Sequence, residues 1–119
     1  MADVTIYHNP KCSSSRNTLA LIREAGIEPT VVEYLKTPPS ARELKVIIKR
    51  MGVSVRDVMR TKEEPYATLK LDNPKLSDDQ LIAAMVAHPI LINRPIVVTA
   101  KGARLGRPPE SVRAILPTK

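Results

Sequence analysis

The sequence predicts an α/β fold in one domain spanning residues 1–119: a mixed sheet with flanking helices and a helical insertion at roughly residues 38–90. Three observations carry this. Segments rich in β-formers lie near both ends of the chain, a helical pattern separates the first two of them, and the middle is helical in period. The length suits a single core.

Residues 3–8 (DVTIYH) read as the first strand, stopped by Pro10. From Ser13, Leu19 and Ile22 share a face from which Arg16, Arg23 and Glu24 are excluded, so an amphipathic helix runs to Gly26. TVVEYL, residues 30–35, is the second strand. Two strands joined through a helix in about 30 residues should be parallel, with a right-handed crossover. Thr37-Pro38-Pro39-Ser40 then opens a helix carrying Leu44, Ile47, Ile48 and Met51 on one face and closed by Gly52. Short helical pieces follow around 54–60 and 78–87, the second capped by Ser77-Asp78-Asp79 and stopped by Pro89. Between them EEPYATLKLDNPKL is irregular or weakly helical. Ile96-Val97-Val98 is a buried type of strand, Lys101-Gly102 makes a turn, and ARLGR returns antiparallel. Pro108-Pro109-Glu110 starts a last helix with proline in its first turn. The order β-α-β, helical insert, β-β-α is that of a thioredoxin-like fold. Such folds usually carry a cis-proline ahead of the third strand, so the Arg94–Pro95 bond is expected cis and the other ten of the 11 prolines trans.

Composition narrows the function. Apolar residues make up 43% and charged residues 26%, ordinary for a globular protein. No apolar run approaches the roughly 20 residues of a membrane helix, and the N-terminus has no signal-like core. One cysteine cannot staple the fold internally, which points to the cytoplasm. The net charge of +7 asks for anionic partners. Nucleic acid is not expected, because the basic residues are scattered, only 3% of residues are aromatic and no binding motif appears. A small anion held by a few arginines accounts for the charge equally well. Two histidines and one cysteine supply no recognised metal-ligand spacing, so no metal is expected.

That cysteine, Cys12, falls where the first strand gives way to the first helix. The unpaired N–H groups of residues 13–16 and the helix dipole favour a thiolate there and make a pocket for an anion. An inert cysteine is usually a small buried hydrophobe, and this junction is a poor place to hide one. Arg16, a cation in the first turn, makes better sense with an anion nearby. His8 either supports the thiolate as imidazolium or is a polar group at a strand end. Spacing excludes close alternatives. A tyrosine-phosphatase loop would need arginine at position 18, which is Thr18, and a dithiol oxidoreductase would need cysteine at position 15, which is Ser15. A lone nucleophilic thiol beside an anion site survives.

Three further arginines could complete the site. Arg94 is held extended by Pro95 just before the third strand, Arg107 ends the returning strand in phase with Leu105, and Arg60 closes the short helix of VRDVMR. Singly, each reads as a solvated loop residue, a rim charge and a helix-terminal cation. Arg104, out of phase with Arg107, should face solvent.

Taken together, YHNPKCSSSRNTL, LxxPPSxxEL, EEPY, DDQLIAAM, HPILINRPIVV and RLGRPPE resemble the glutaredoxin-linked arsenate reductase family, in family order from residue 4 to about 116. The resemblance implies a thioredoxin-like fold with a helical insert. It implies that Cys12 attacks arsenate with His8 assisting, and that Arg60, Arg94 and Arg107, with Ser15, bind the oxyanion beside Pro95. It implies further that no cofactor is bound, that glutathione serves as a co-substrate, and that glutaredoxin resolves a mixed disulfide as arsenite leaves. Ser13 stands where the family often has glycine. Two other readings remain: a monothiol glutaredoxin-like exchanger, and a non-enzymatic redox-sensitive regulator on the same fold.

Overall fold

The computed structural model describes residues 4–117. The chain divides into two compact units, one formed by the segments up to Thr37 and from Arg94 onward, the other by Pro38–Asn93. The second unit is the predicted insertion, three residues longer at its end than expected.

The first unit is built on four strands: β1 (Thr5–His8), β2 (Thr30–Glu33), β3 (Ile96–Thr99) and β4 (Gly102–Leu105). Their order is β2-β1-β3-β4, with β1 and β2 parallel and the other two pairings antiparallel. This is the thioredoxin-like arrangement that the element order predicts. Helix α1 (Ser13–Glu24) makes the crossover from β1 to β2. Its apolar stripe joins a cluster of Val4, Ile6, Ile22, Ile27, Val97, Val112, Ile115 and Leu116, with Leu19 and Leu21 packed against it. Burying such aliphatic side chains stabilises by about 1.5–3 kcal/mol each before chain entropy is subtracted.

Register places the ends of the strands. His8 at the end of β1 pairs with Glu33, Tyr7 pairs with Ile96 at the start of β3, and Ile96 pairs with Leu105 at the end of β4. The loop after β1, the residues before β3 and the residues after β4 therefore meet at one edge of the sheet. Three separated stretches of sequence are brought together by antiparallel pairing alone.

The second unit is helical: α2 (Ala41–Met51), a 3-10 turn (Val55–Val58), α3 (Glu64–Thr68), α4 (Asp78–Ala87) and a second 3-10 turn (Pro89–Leu91). Ser40, Ser54 and Ser77 each form a capping box, with Glu43, Asp57 and Gln80 respectively. Gly52 closes α2 at φ 71°, a conformation costly for a side-chain-bearing residue. Leu44, Ile47 and Ile48 of α2 and Leu81, Ile82 and Met85 of α4 are buried.

The structure sharpens or departs from the sequence reading at four points. Glu64–Thr68 is a helix, entered through Pro65 in its first turn. The last helix is 3-10 throughout Pro109–Ile115. The pieces around 54–60 shorten to one 3-10 turn. Arg94–Pro95 is cis as expected, but Arg107–Pro108 is cis as well, so the expectation of ten trans prolines fails there. An X–Pro amide prefers trans only weakly, and tertiary context chooses the isomer. Asp3, read into the first strand, lies outside the described residues.

Candidate active site

Cys12 is the N-cap residue of α1, at φ −97° and ψ 125°, and 9% exposed. Its N–H donates to the Asn9 carbonyl at 3.0 Å and its carbonyl accepts from Arg16 N–H at 3.0 Å, which fixes its backbone at the helix entrance. The sulfur makes no conventional cap bond, yet the backbone N–H groups of Ser15 and Ser14 favour its thiolate. Burial opposes ionisation most strongly. The Ser15 N–H, the Arg94 charge, the Ser14 N–H and a hydrogen bond from Arg94 together outweigh it and hold the thiol below its ordinary pKa.

Two predicted arginines reach this sulfur. Arg94, two residues before β3, favours its thiolate by charge and by hydrogen bonding. Arg107 Nη1 lies 3.8 Å from Cys12 Sγ and 3.5 Å from the Arg94 carbonyl oxygen. Arg104 is exposed, as its phase predicts. The two guanidiniums come from opposite ends of paired strands, so each is placed by the β3–β4 register.

Gly106 tightens this corner. Its N–H donates to the Pro95 carbonyl at 2.8 Å, and its carbonyl accepts from Thr18 Oγ1 at 3.3 Å. A Cβ there would lie 2.5 Å from Thr18 Oγ1 and 2.8 Å from Pro95 Cγ. The backbone leading into Arg107 is thus pinned against Pro95 and α1. Thr18 and Gly106 are positioning residues that sequence reasoning missed, since hydroxyls within an apolar stripe carry no periodic signal.

His8 and Ser15 form a second, buried layer. His8 is 7% exposed and Ser15 fully buried, and Ser15 Oγ lies 2.6 Å from His8 Nδ1. The same oxygen accepts the Asn9 N–H at 3.0 Å. The hydroxyl has one proton to give and a second lone pair to accept with, so it can meet either tautomer of His8 at Nδ1. Burial pushes the His8 pKa below its ordinary value; Glu33 pulls upward, and Arg23 and Arg16 reinforce the fall. The lowered pKa disfavours the imidazolium, the first of the two readings of His8. Ser15 is corrected too. Its hydroxyl neither caps α1 nor stands free for an oxyanion, because it is occupied by His8 and Asn9, and only its backbone N–H favours the thiolate.

Arg16 differs from expectation as well: its Nη1 donates to the Pro10 carbonyl at 2.9 Å, tying the loop that carries Cys12. Arg60 belongs to the second unit. Its N–H bonds the Leu91 carbonyl at 2.8 Å, beside the Met59–Ile92 bridge, and its guanidinium pairs with Glu63 at 2.9 Å. Among the described residues no group of three or more His, Cys, Asp or Glu could hold a metal, and no helix is long and apolar enough to cross a membrane.

A family model described as the ArsC family matches residues 7–115. The chain belongs to the ArsC family. It is 60% identical over 114 residues to an arsenate reductase of Rhizobium meliloti strain 1021, covering 96% of this chain and 81% of that protein. An uncharacterized protein of Escherichia coli strain K12 is 52% identical over 95% of this chain and 96% of its own length. The solved structure of an arsenate reductase from Vibrio cholerae superposes with a TM-score of 0.94 at 56% identity, covering 97% of this chain and 98% of that one. The ArsC match contains Cys12, Arg60, Arg94 and Arg107 and every feature of the sheet edge described above.

Proposed function

We propose that this ArsC-family protein reduces arsenate to arsenite in a reducing cytoplasm, with Cys12 as nucleophile and glutathione and glutaredoxin as external reductants. The observation that carries this reading is the meeting of Arg94 and Arg107 at a thiol held below its ordinary pKa. A guanidinium fork suits a tetrahedral oxyanion, since its N–H donors make paired charge-assisted bonds. The family resemblance assigns Arg60 the same chemical part.

The electrons balance with two thiols. The Cys12 thiolate attacks arsenic(V) and displaces one oxygen as water, forming an S–As bond. Glutathione thiolate then forms an S–S bond to Cys12; the S–As pair stays on arsenic, which leaves as arsenite. Glutaredoxin attacks the mixed disulfide and returns the Cys12 thiolate. Ser15 stands where a second cysteine would close an internal disulfide, and its hydroxyl cannot do so.

The test is arsenate-dependent NADPH oxidation with glutathione, glutaredoxin and glutathione reductase supplied. Wild type should turn over and Cys12→Ser should not, and omission of glutaredoxin should leave an adduct on Cys12. No arsenate dependence would favour a thiol exchanger or a regulator. Multiple turnovers without any external thiol would overturn the mechanism.

A further inference from the structure

Residues 9–12, Asn9-Pro10-Lys11-Cys12, form a turn whose last residue is the site cysteine. Asn9 closes it twice. Its carbonyl accepts the Cys12 N–H at 3.0 Å, and its side-chain Oδ1 accepts the Lys11 N–H at 3.0 Å. Proline in the second position presets one backbone angle, and asparagine in the first supplies the side-chain bond. The Asn9 N–H is used as well, donating to Ser15 Oγ at 3.0 Å and so tying the turn to α1.

The rest of the loop is held from the helix. Arg16 N–H reaches the Cys12 carbonyl at 3.0 Å, and Arg16 Nη1 reaches the Pro10 carbonyl at 2.9 Å. Ser15 and Arg16 grip the turn from outside, whereas Asn9 shapes it from within. The turn decides how the sulfur meets the groups that face it: the Ser14 and Ser15 amides of α1, Arg94 before β3, and Arg107 Nη1 at 3.8 Å after β4. Hydrogen bonds to those amides are lost with a displacement of about 1 Å.

Two other side chains build a turn of this kind. Serine does so more weakly, and aspartate does so as asparagine does. Aspartate, however, would set a negative charge three residues from the thiolate, opposing Arg94 and the amides. The amide offers the same acceptor with no charge. We infer that Asn9 is a positioning residue for Cys12: its side chain shapes the turn that delivers the sulfur to the entrance of α1, and does so without placing a carboxylate beside the thiolate. This rests on the reading of Cys12 as the nucleophile.

The experiment follows Cys12 alkylation by iodoacetamide against pH in the full-length chain, at low salt and at about 1 M salt, where charges are screened beyond about 3 Å. Urea unfolding is measured alongside, and each variant is compared with wild type at the same salt. In Asn9→Ala the midpoint should move upward toward that of free cysteine, slowing alkylation at neutral pH about threefold, and the shift should persist in high salt. In Asn9→Asp the turn is kept; the midpoint should again move upward, but most of that shift should vanish in high salt. An Asn9→Ala midpoint equal to that of wild type, with only stability lowered, would make Asn9 a structural residue and overturn the inference. A salt-resistant shift in Asn9→Asp would show a broken turn and overturn the part given to the missing charge. Alkylation needs no arsenate, so these outcomes are separate from whether the protein reduces it. A wild-type midpoint at the free-cysteine value would overturn the reading of Cys12, and the role of Asn9 with it.

Discussion

Removing the Ser15 hydroxyl tests the buried layer behind the thiol. Ser15 is fully buried, and its Oγ serves two groups, the Asn9 N–H at 3.0 Å and His8 Nδ1 at 2.6 Å. In Ser15→Ala both lose their partner where water does not readily reach. Each stranded group costs about 1–3 kcal/mol. Asn9 is only half-buried and falls at the low end, so the sum is about 3 kcal/mol. A helix cap alone would be worth about 1 kcal/mol. Urea unfolding should show the midpoint displaced with an unchanged slope, and Tm should fall by about 10 °C for a chain of this size. Ser13→Ala, at an exposed neighbour, should stay within about 0.5 kcal/mol of wild type. In a His8→Gln background, Ser15→Ala should cost about 1 kcal/mol less, because the shared bond is already gone. A loss of 1 kcal/mol or less in Ser15→Ala, at about the cap value, would refute the two-partner account.

Three other outcomes follow from the same geometry. The rate of Cys12 alkylation should rise with pH through a midpoint below that of free cysteine, and Arg94→Ala should move the midpoint upward; a midpoint at the free value would contradict the electrostatics. His8 has a folded pKa below its unfolded one, so the unfolded state binds the extra proton: stability should be full above the ordinary histidine pKa and decline as pH falls toward the lowered value. His8→Gln should remove that slope, measured by urea midpoints across the window. Arg94→Lys and Arg107→Lys should each raise the arsenate KM by about tenfold through loss of the planar fork, while Arg104→Lys should not.

What the sequence made legible was whatever depends on local chemistry. Serine followed three residues later by glutamate, aspartate or glutamine marks three helix starts, and all three boxes form. Runs such as IVV and TIYH mark strands wherever one falls. Cys12 could be placed at a helix entrance because Pro10 and the serines bracket it. What depends on long-range placement was not legible from residues alone. Arg94 and Arg107 each read as an ordinary surface cation until the β3–β4 register put both at the sulfur. The burial of Ser15 and Thr18 was not legible because a periodicity argument scores hydroxyls as outward-facing, yet here both line the buried side of α1, Ser15 bonded to His8 and Asn9 and Thr18 to the Ser14 and Gly106 carbonyls.

The charge arrangement at Cys12 has a consequence that neither residue list nor fold alone gives. An imidazolium could supply the positive field a thiolate needs, but it would make that field depend on pH across the neutral range. In this site burial lowers the His8 pKa, and the thiolate is favoured by Arg94 and by the amides of Ser14 and Ser15. Guanidinium does not titrate in this range and amides do not titrate at all. What these groups contribute is therefore constant across that range. His8 also acts through structure: its Nδ1 bonds the Ser15 hydroxyl, Ser15 in turn holds the Asn9 N–H, and the Asn9 carbonyl accepts the Cys12 N–H. The histidine thus sets where the sulfur sits, while the arginines and the helix entrance set its charge.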